Sequence, residues 1–301
     1  MSSLPSPVRA TLPAADRDWI GRSETVRDVV TEAPVAALLA TLDDGNADPR
    51  ASGLLPPLWH WLYFQPKPKR SQIGPDGHAA RGGFLPPVPL PRRMWAGGRL
   101  AWHDPLRIGD AIERESRVDD VTVKSGRSGD LVFVRVTHTI STARGLALTE
   151  EHDIVYRDVP ATAPPSPPSP SSPPARRDEA WSMRIVPDDV LLFRYSALTF
   201  NGHRIHYDRR YATEVEGYPG LIVHGPLIAT LLLELLRERM PRATLSRFAF
   251  RAVSPLFALV EPMPFDVCGR PAEDGTSVDL WARDADGGLA MQATATLAGA
   301  T

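Results

Sequence analysis

The densest group of chemically useful side chains lies between residues 194 and 208, in the stretch RYSALTFNGHRIHYD. Its last eight residues include Asn201, His203, His206 and Asp208. An imidazole titrates near neutral pH and therefore suits proton transfer between a substrate and water. The spacing allows three interpretations: acid–base catalysis, a metal site on His203, His206 and Asp208, or histidines that only fill polar pockets and cap turns.

A second stretch, YPGLIVHGPL, ends where a strongly apolar segment begins. Its Pro226 suits the first turn of a helix, so the pattern predicts a helix from His224 to Met240. This helix would be apolar on nearly all faces and therefore buried. The backbone N–H of Gly225 would then stand at its positive end, where it can bind a developing negative charge.

The composition is that of an ordinary globular protein of one or two domains, with 301 residues, 43% hydrophobic and 23% charged. Its 34 Lys+Arg against 36 Asp+Glu argue against nucleic acid as the main partner. A single cysteine, Cys268, excludes an internal disulfide and favours a reducing compartment. No run of 18 apolar residues predicts a membrane span, and the N-terminus has no apolar signal-peptide core, so we expect a cytoplasmic protein.

A proline tract divides the chain. Eight of the 31 prolines fall in the fifteen residues from Pro160 to Pro174, which can form neither a helix nor a central strand. We therefore predict an N-terminal half over residues 1–159, a Pro/Ser-rich linker over 160–178 and a C-terminal half over 179–301.

The sequence pattern of each half predicts a helix and an antiparallel meander. Alternating apolar residues and turn signals mark the strands. The predicted strands are Asp110–Val118, Leu131–Ser141 and Leu146–Tyr156 in the first half, after a helix at Val35–Leu42, and Arg247–Phe257, Met263–Arg270, Ser277–Arg283 and Ala290–Leu297 in the second. The segments RLAWH (99–103) and RFAFR (247–251) indicate a weak internal repeat. Two such units can pair their sheets edge to edge.

The motif Asn201-Gly-His203-Arg-Ile-His206-x-Asp208, followed by Leu-Ile-Val-His224-Gly225, resembles that of MaoC-like hot-dog enoyl-CoA hydratases. That family pattern is Asp-x-Asn-Pro-(Ile/Leu)-His-x-Asp, then Ile-(Val/Ile)-His-Gly, and the likeness covers most of residues 185–300. The stretch GGFLPPVPLPRRMWAGGRL (82–100) is similar to mesaconyl-CoA hydratases and related 3-hydroxyacyl-thioester dehydratases. The resemblance implies an α+β double hot-dog fold, with two helix-wrapped antiparallel sheets in one chain.

The resemblance also implies a hydro-lyase that adds water reversibly to an α,β-unsaturated acyl-CoA, with mesaconyl-CoA to citramalyl-CoA as the expected reaction. In the family an Asp and a His share one water. His206 matches the His and becomes the general acid/base, but Asn201 stands at the Asp position. An amide can orient water but cannot accept a proton. Gly225 N–H would bind the thioester oxygen, whereas His203 and Arg204 depart from the pattern.

For the substrate contacts we expect Arg93, Trp95, Arg251, His203 and His224. A dicarboxylic acyl group and the CoA phosphates need cations, for which Arg92 and Arg99 are further candidates. We expect Asp208 to hold a histidine tautomer or to cap a turn. The Pro- and Gly-rich segment 65–91 predicts a lid, a tunnel wall or a packed loop.

We expect neither a metal nor a redox cofactor, because CoA arrives with the substrate. Three other functions stay open: a 3-hydroxyacyl-ACP dehydratase of fatty-acid synthesis, a hot-dog thioesterase, and a non-catalytic acyl-CoA-binding protein. Nucleic acid and membrane are not expected partners. The fold allows a homodimer, which the sequence alone does not establish.

Overall fold

The computed structural model describes residues 18–43, 45–80, 82–90, 92–126, 129–158 and 172–299. In these ranges no helix is long and apolar enough to cross a membrane. The strands are β1 (Ser23–Val29), β2 (Arg92–Trp102), β3 (Ala111–Gly126), β4 (Gly129–Thr142), β5 (Gly145–Arg157), β6 (Trp181–Ile185), β7 (Leu221–Ile222), β8 (Leu245–Ala252), β9 (Phe257–Ala258), β10 (Phe265–Pro271), β11 (Ser277–Arg283) and β12 (Leu289–Leu297). The helices are α1 (Glu32–Leu42), α2 (Pro49–Ser52), α3 (Asp189–Leu198) and α4 (Gly225–Arg239).

Ten strands form one antiparallel sheet in the order β1-β3-β4-β5-β2-β8-β12-β11-β10-β6. Strands β2 and β8 join the two halves, as the edge-to-edge prediction requires. The two repeated segments pair with each other there: Leu100 lies opposite Phe248, Arg99 opposite Ala249 and Ala101 opposite Arg247. This register relates the halves by a local two-fold axis through the Leu100–Phe248 pair.

Helix α4 is the core of the second half. It begins at Gly225 with His224 as its N-cap and ends at Arg239, within a residue of the predicted bounds. Every position from Leu227 to Leu236 is buried, because strands β6, β10, β11 and β12 pack against it. The buried Glu234 accepts hydrogen bonds from Trp59 Nε1 (2.7 Å) and Asn46 Nδ2 (3.1 Å) of the first half. The helix that carries Gly225 is therefore fixed to both halves.

In the first half, different elements pack against the sheet and form the core. Helix α1 has only 11 residues and packs against α3 and the turn Trp59–Leu62. Irregular chain, with the buried side chains of Trp59, Tyr63 and Phe64, occupies the core beside it. These aromatic side chains are thus part of the core, and no helix comparable to α4 lies in the first half's described residues.

The sequence patterns do not predict strand β2, which joins the two halves, the edge strands β1 and β6, or helix α3, which leads into the histidine motif. Strand β1 is largely exposed and polar, so it lacks the alternation that marks the inner strands. Residues 160–171 of the predicted linker lie outside the described residues, and the linker therefore stays a prediction. From Ser172 to Ala180 the chain forms no strand of its own.

Candidate active site

His206 lies on a short 3₁₀ turn, Arg204–His206, between α3 and the buried helix α4. Its Nδ1–H donates to the carbonyl oxygen of Ile222 at 2.7 Å. That bond selects the tautomer whose Nε2 carries a lone pair, and Nε2 has no hydrogen-bond partner among the described residues. Burial lowers the pKa of His206 to about 4. At neutral pH the ring is therefore uncharged and presents an unoccupied proton acceptor.

Gly225 is the first residue of α4, so its N–H is one of the amides that have no partner inside the helix. A Cβ built on Gly225 would meet no atom within 4 Å, which shows open space beside this backbone. The neighbouring His224 stacks on His206. The helix N-terminus thus stands next to the proton acceptor, as the sequence motif implies.

His224 itself is not placed as an open substrate contact, which corrects the expectation. Its side chain is 1% exposed, and its ring lies parallel to that of His206 with centroids 3.8 Å apart. Its Nε2 and Ser196 Oγ are hydrogen-bonded at 2.8 Å. Burial and the adjacent His206 hold its pKa well below the ordinary value. His224 therefore backs the His206 ring as a neutral, packed neighbour.

Asn201 uses its side-chain oxygen in a local turn. Its Oδ1 accepts the backbone N–H of His203 at 3.0 Å, and its own N–H donates to Ser196 O at 2.8 Å. The amide nitrogen of Asn201 remains as a donor. The side chain is therefore equipped to orient a water molecule and not to take its proton.

Asp208 caps the following turn and does not hold a histidine. Its carboxylate accepts the backbone N–H of Tyr211 at 3.0 Å and a hydrogen bond from Arg204 at 2.7 Å. Arg204 also donates to Pro75 O and lies over the Tyr211 ring, 4.1 Å from its centroid. With Asp208 on Arg204 and the His206 Nδ1 on Ile222, the metal site considered from local spacing is not formed.

The site contains a pair that the sequence analysis missed, Asp76 and His78 of the first half. His78 Nδ1 lies 3.1 Å from Asp76 Oδ2, and the His78 ring centroid is 3.9 Å from that of His203. The His203 ring is in turn 5.5 Å from that of His206. The sequence predicts a lid, a tunnel wall or a packed loop for segment 65–91. No local spacing linked its Pro75-Asp-Gly-His78 turn to a motif more than 120 residues away.

The atoms of Asp76, His78 and His203 that could bind a metal all lie within 4.8 Å of one another. These distances are compatible with an ion, but the surrounding charge is not favourable. Burial lowers the pKa of both imidazoles, and the positive charge of Arg93 lowers it further. The same charge opposes a divalent cation at this position.

Of the expected substrate contacts on β2, Arg93 and Trp95 stand on the site's side of the sheet. Arg93 is half-buried, and no carboxylate pairs with it among the described residues. Trp95 packs edge-on against Trp61 (5.1 Å) and Phe250 (5.4 Å), and its Nε1–H donates to Gly97 O. Arg93 is thus a cation available to an anionic ligand, beside an aromatic wall.

Arg251 is separated from the histidines, which corrects a further expectation. Phe248 and Phe250 point into the core, so the alternation of β8 turns Arg251 to the outer face of the sheet. There it lines a shallow groove of about 490 Å³ together with Arg99. Arg99 is already paired with Glu151 and Asp153. Neither cation faces the site.

Comparison with known proteins agrees with this geometry. Residues 58–258 match the family model described as "Hydroxyacyl-thioester dehydratase type 2". The chain belongs to this family. It is 50% identical to "Mesaconyl-C(4)-CoA hydratase" of Chloroflexus aurantiacus, over 93% of this chain and 97% of the relative. The chain is accordingly an enzyme of the hydro-lyase type, which acts on an acyl thioester.

Solved structures show the same fold at low sequence identity. A "MaoC-like dehydratase" superposes with a TM-score of 0.67 at 16% identity, covering 93% of this chain and 98% of that one. A Mycobacterium tuberculosis protein described as having a double hot-dog fold gives a TM-score of 0.54 at 14% identity, over 93% and 96% of the two chains. The double hot-dog fold is thereby confirmed, and the family match above confirms the resemblance to hydratases and dehydratases.

Proposed function

We propose that this dehydratase-family enzyme adds water reversibly to mesaconyl-CoA and forms citramalyl-CoA. The observation that carries the proposal is the unoccupied Nε2 of His206 beside the first N–H groups of α4. A proton acceptor next to an oxyanion donor is the arrangement that chemistry beside an acyl carbonyl requires. The name of the Chloroflexus relative supports the acyl group.

In the addition, Asn201 orients a water molecule and His206 Nε2 takes one of its protons. The water oxygen bonds to the β-carbon, and the electrons of the C=C bond move onto the thioester oxygen. Gly225 N–H binds that oxygen, a contact worth about 3 kcal/mol in comparable sites. The α-carbon then receives a proton. In the reverse direction His206 protonates the departing hydroxyl, and neither a metal nor a redox cofactor takes part.

The position of Arg93 supports a dicarboxylic substrate. In mesaconyl-C(4)-CoA the free carboxylate is bonded to the β-carbon, the same carbon that water attacks. A cation that binds this carboxylate must therefore lie close to the proton-transfer groups. Arg93 meets this condition, because its charge acts on His78 and His203 and no carboxylate of the described residues neutralises it. Trp95, two residues along the same strand, supplies an apolar wall.

The test is to incubate the purified protein with mesaconyl-C(4)-CoA and with crotonyl-CoA, and to follow enoyl-thioester absorbance together with free thiol. We expect loss of the enoyl signal without thiol release, and a clear preference for mesaconyl-CoA. His206→Gln should abolish this loss of the enoyl signal, whereas His103→Gln, a change at an exposed histidine of the first half, should not. Thiol release would indicate a thioesterase. Turnover only of carrier-protein thioesters would indicate a dehydratase of fatty-acid synthesis.

A further inference from the structure

The family motif uses two proton-handling groups on one water, and this chain carries only one of them in the motif itself. Asn201 occupies the acidic position, and its oxygen already accepts the N–H of His203. An addition still needs a proton for the α-carbon. A group elsewhere in the fold that reaches the same place would complete the site.

The first half delivers such a group, on a turn that is docked tightly onto the motif. Arg204 N–H donates to Asp76 O at 2.9 Å, and Arg204 Nη1 donates to Pro75 O at 3.0 Å. A Cβ built on Gly77 would lie 1.8 Å from Gly202 O, so only glycine allows this approach. The contact presents His78 to the histidine motif in one fixed orientation.

We propose that His78, oriented by Asp76, is a second catalytic acid–base residue that takes the role left open by Asn201. Its Nδ1–H donates to the Asp76 carboxylate, which leaves Nε2 free to carry a proton toward the substrate. The side chain of His78 is 26% exposed, and its Nε2 has no partner among the described residues. The proposal rests on the hydratase function proposed above.

In the addition, water loses a proton to His206 Nε2 while its oxygen bonds to the β-carbon. The enolate formed on the thioester takes a proton from His78 Nε2–H, and a C–H bond forms at the α-carbon. His206 ends as imidazolium and His78 as neutral imidazole, and proton exchange through solvent restores both. Burial and the charge of Arg93 lower the pKa of His78, whereas the ionised Asp76 stabilises its charged form. A substrate carboxylate on Arg93 neutralises that charge and makes His78 a better proton carrier when substrate is bound.

The test compares His78→Gln with wild type, Asn201→Asp and the double variant on mesaconyl-C(4)-CoA, once wild type is shown to hydrate it. Glutamine keeps a polar group near the Nε2 position but transfers no proton. We expect kcat to fall at least 100-fold with little change in KM, as for other acid–base groups. The alkaline limb of the pH–rate profile should disappear, because the acid of the addition must be protonated. In the double variant, Asn201→Asp should raise kcat at least tenfold above that of His78→Gln alone.

His103→Gln serves as the matched control for the histidine substitution, and thermal unfolding checks that each variant is folded. A kcat of His78→Gln within threefold of wild type would overturn the proposal, as would an unchanged pH profile or equal rates for the single and double variants. Activity that is lost on dialysis against a chelator and returns with Zn²⁺ would also overturn it, in favour of a metal on Asp76, His78 and His203. An inactive wild type would instead refute the proposed function.

Discussion

The rings of His206 and His224 lie parallel, 17° apart in plane, with centroids separated by 3.8 Å. His206 is thus held in two ways, by its Nδ1–H on Ile222 O and by the face of a buried neighbour. His224 is fixed in turn by Ser196 Oγ and by the edge-on ring of Tyr195. The orientation of the His206 ring therefore depends on residues of α3 and on the N-cap of α4.

We expect His224→Ala to lower kcat by 10- to 100-fold with a smaller change in KM, because the catalytic ring loses its support and small misplacements cost large factors in rate. His224→Phe keeps an aromatic ring against His206 and should lose less. Ser196→Ala removes only the hydrogen bond to His224 and is the matched control. Steady-state kinetics with mesaconyl-C(4)-CoA gives kcat for the three variants and so ranks them. Equal rates for the Ala and Phe variants would contradict a role for the stack.

Arg93→Gln should lower kcat/KM for mesaconyl-C(4)-CoA by 10- to 100-fold and leave crotonyl-CoA nearly unchanged. A hydrogen bond to a charged group contributes about 1.5–3 kcal/mol, and only the dicarboxylic substrate can make it. The matched control is Arg251→Gln on the outer face of the sheet, which should alter neither substrate. Competition between the two thioesters gives the ratio of their kcat/KM values directly. A parallel loss for both substrates would assign Arg93 to the CoA portion instead.

Arg93 and Arg251 show what the sequence can predict, a candidate cation, and what it cannot, the face of the sheet on which that cation lies. Arg93 and Arg251 had equal claims as cations, and the difference between them is which face of a strand each occupies. Strand register decides that, and one residue of slip reverses it. By contrast, α4 could be predicted to within a residue, since Pro226 and Pro241 mark its ends and its apolar run is continuous.

The candidate site divides in the same way. Asn201, His206 and Gly225 could be found because one local motif carries them, and α3 and α4 hold that motif together. Asp76 and His78 could not, because they join the site through backbone contacts between the halves at Gly77 and Gly202. Contacts at such sequence separation leave no periodicity or spacing to detect.

Buried neutral histidines make the stability of the fold depend on pH. Burial lowers the pKa of His206 to about 4 and that of His138 to about 2, whereas both titrate near 6.5 in the unfolded chain. Above pH 6.5 neither state binds these protons. Below it only the unfolded chain does, so stability falls as the pH drops, by roughly 3 kcal/mol for His206 once pH 4 is reached.

We therefore expect the Tm to drop between pH 7.5 and pH 4.5, and the drop to be smaller in His138→Gln, which removes one of these sites away from the catalytic motif. The exposed His103→Gln should show the full wild-type drop. Differential scanning calorimetry at pH 7.5 and pH 4.5 gives the drop in Tm for wild type and for each variant. An equal drop in His138→Gln and wild type would mean that carboxylates, not this histidine, dominate the acid response.

The contact between Gly77 and Gly202 separates effects on the site from effects on the fold. Gly77 has a φ of +90°, and an added methyl group would meet the backbone of the histidine motif at 1.8 Å. Gly77→Ala must therefore push the Asp76–His78 turn away from His203. Gly275→Ala is the matched control, since Gly275 has a φ of +69° but no atom within 4 Å of its Cβ position.

Both substitutions place a side chain in the left-handed region, which costs about 1 kcal/mol, and we expect a larger loss for Gly77→Ala because its methyl group also meets Gly202 O. Only Gly77→Ala should also lower kcat, by tenfold or more, because the second half of the fold keeps His206 in place while the turn from the first half moves. Urea unfolding and steady-state kinetics on the same preparations separate the two effects. If Gly77→Ala and Gly275→Ala retain equal kcat, the turn contributes to packing alone and the proton-transfer groups all lie in the C-terminal half.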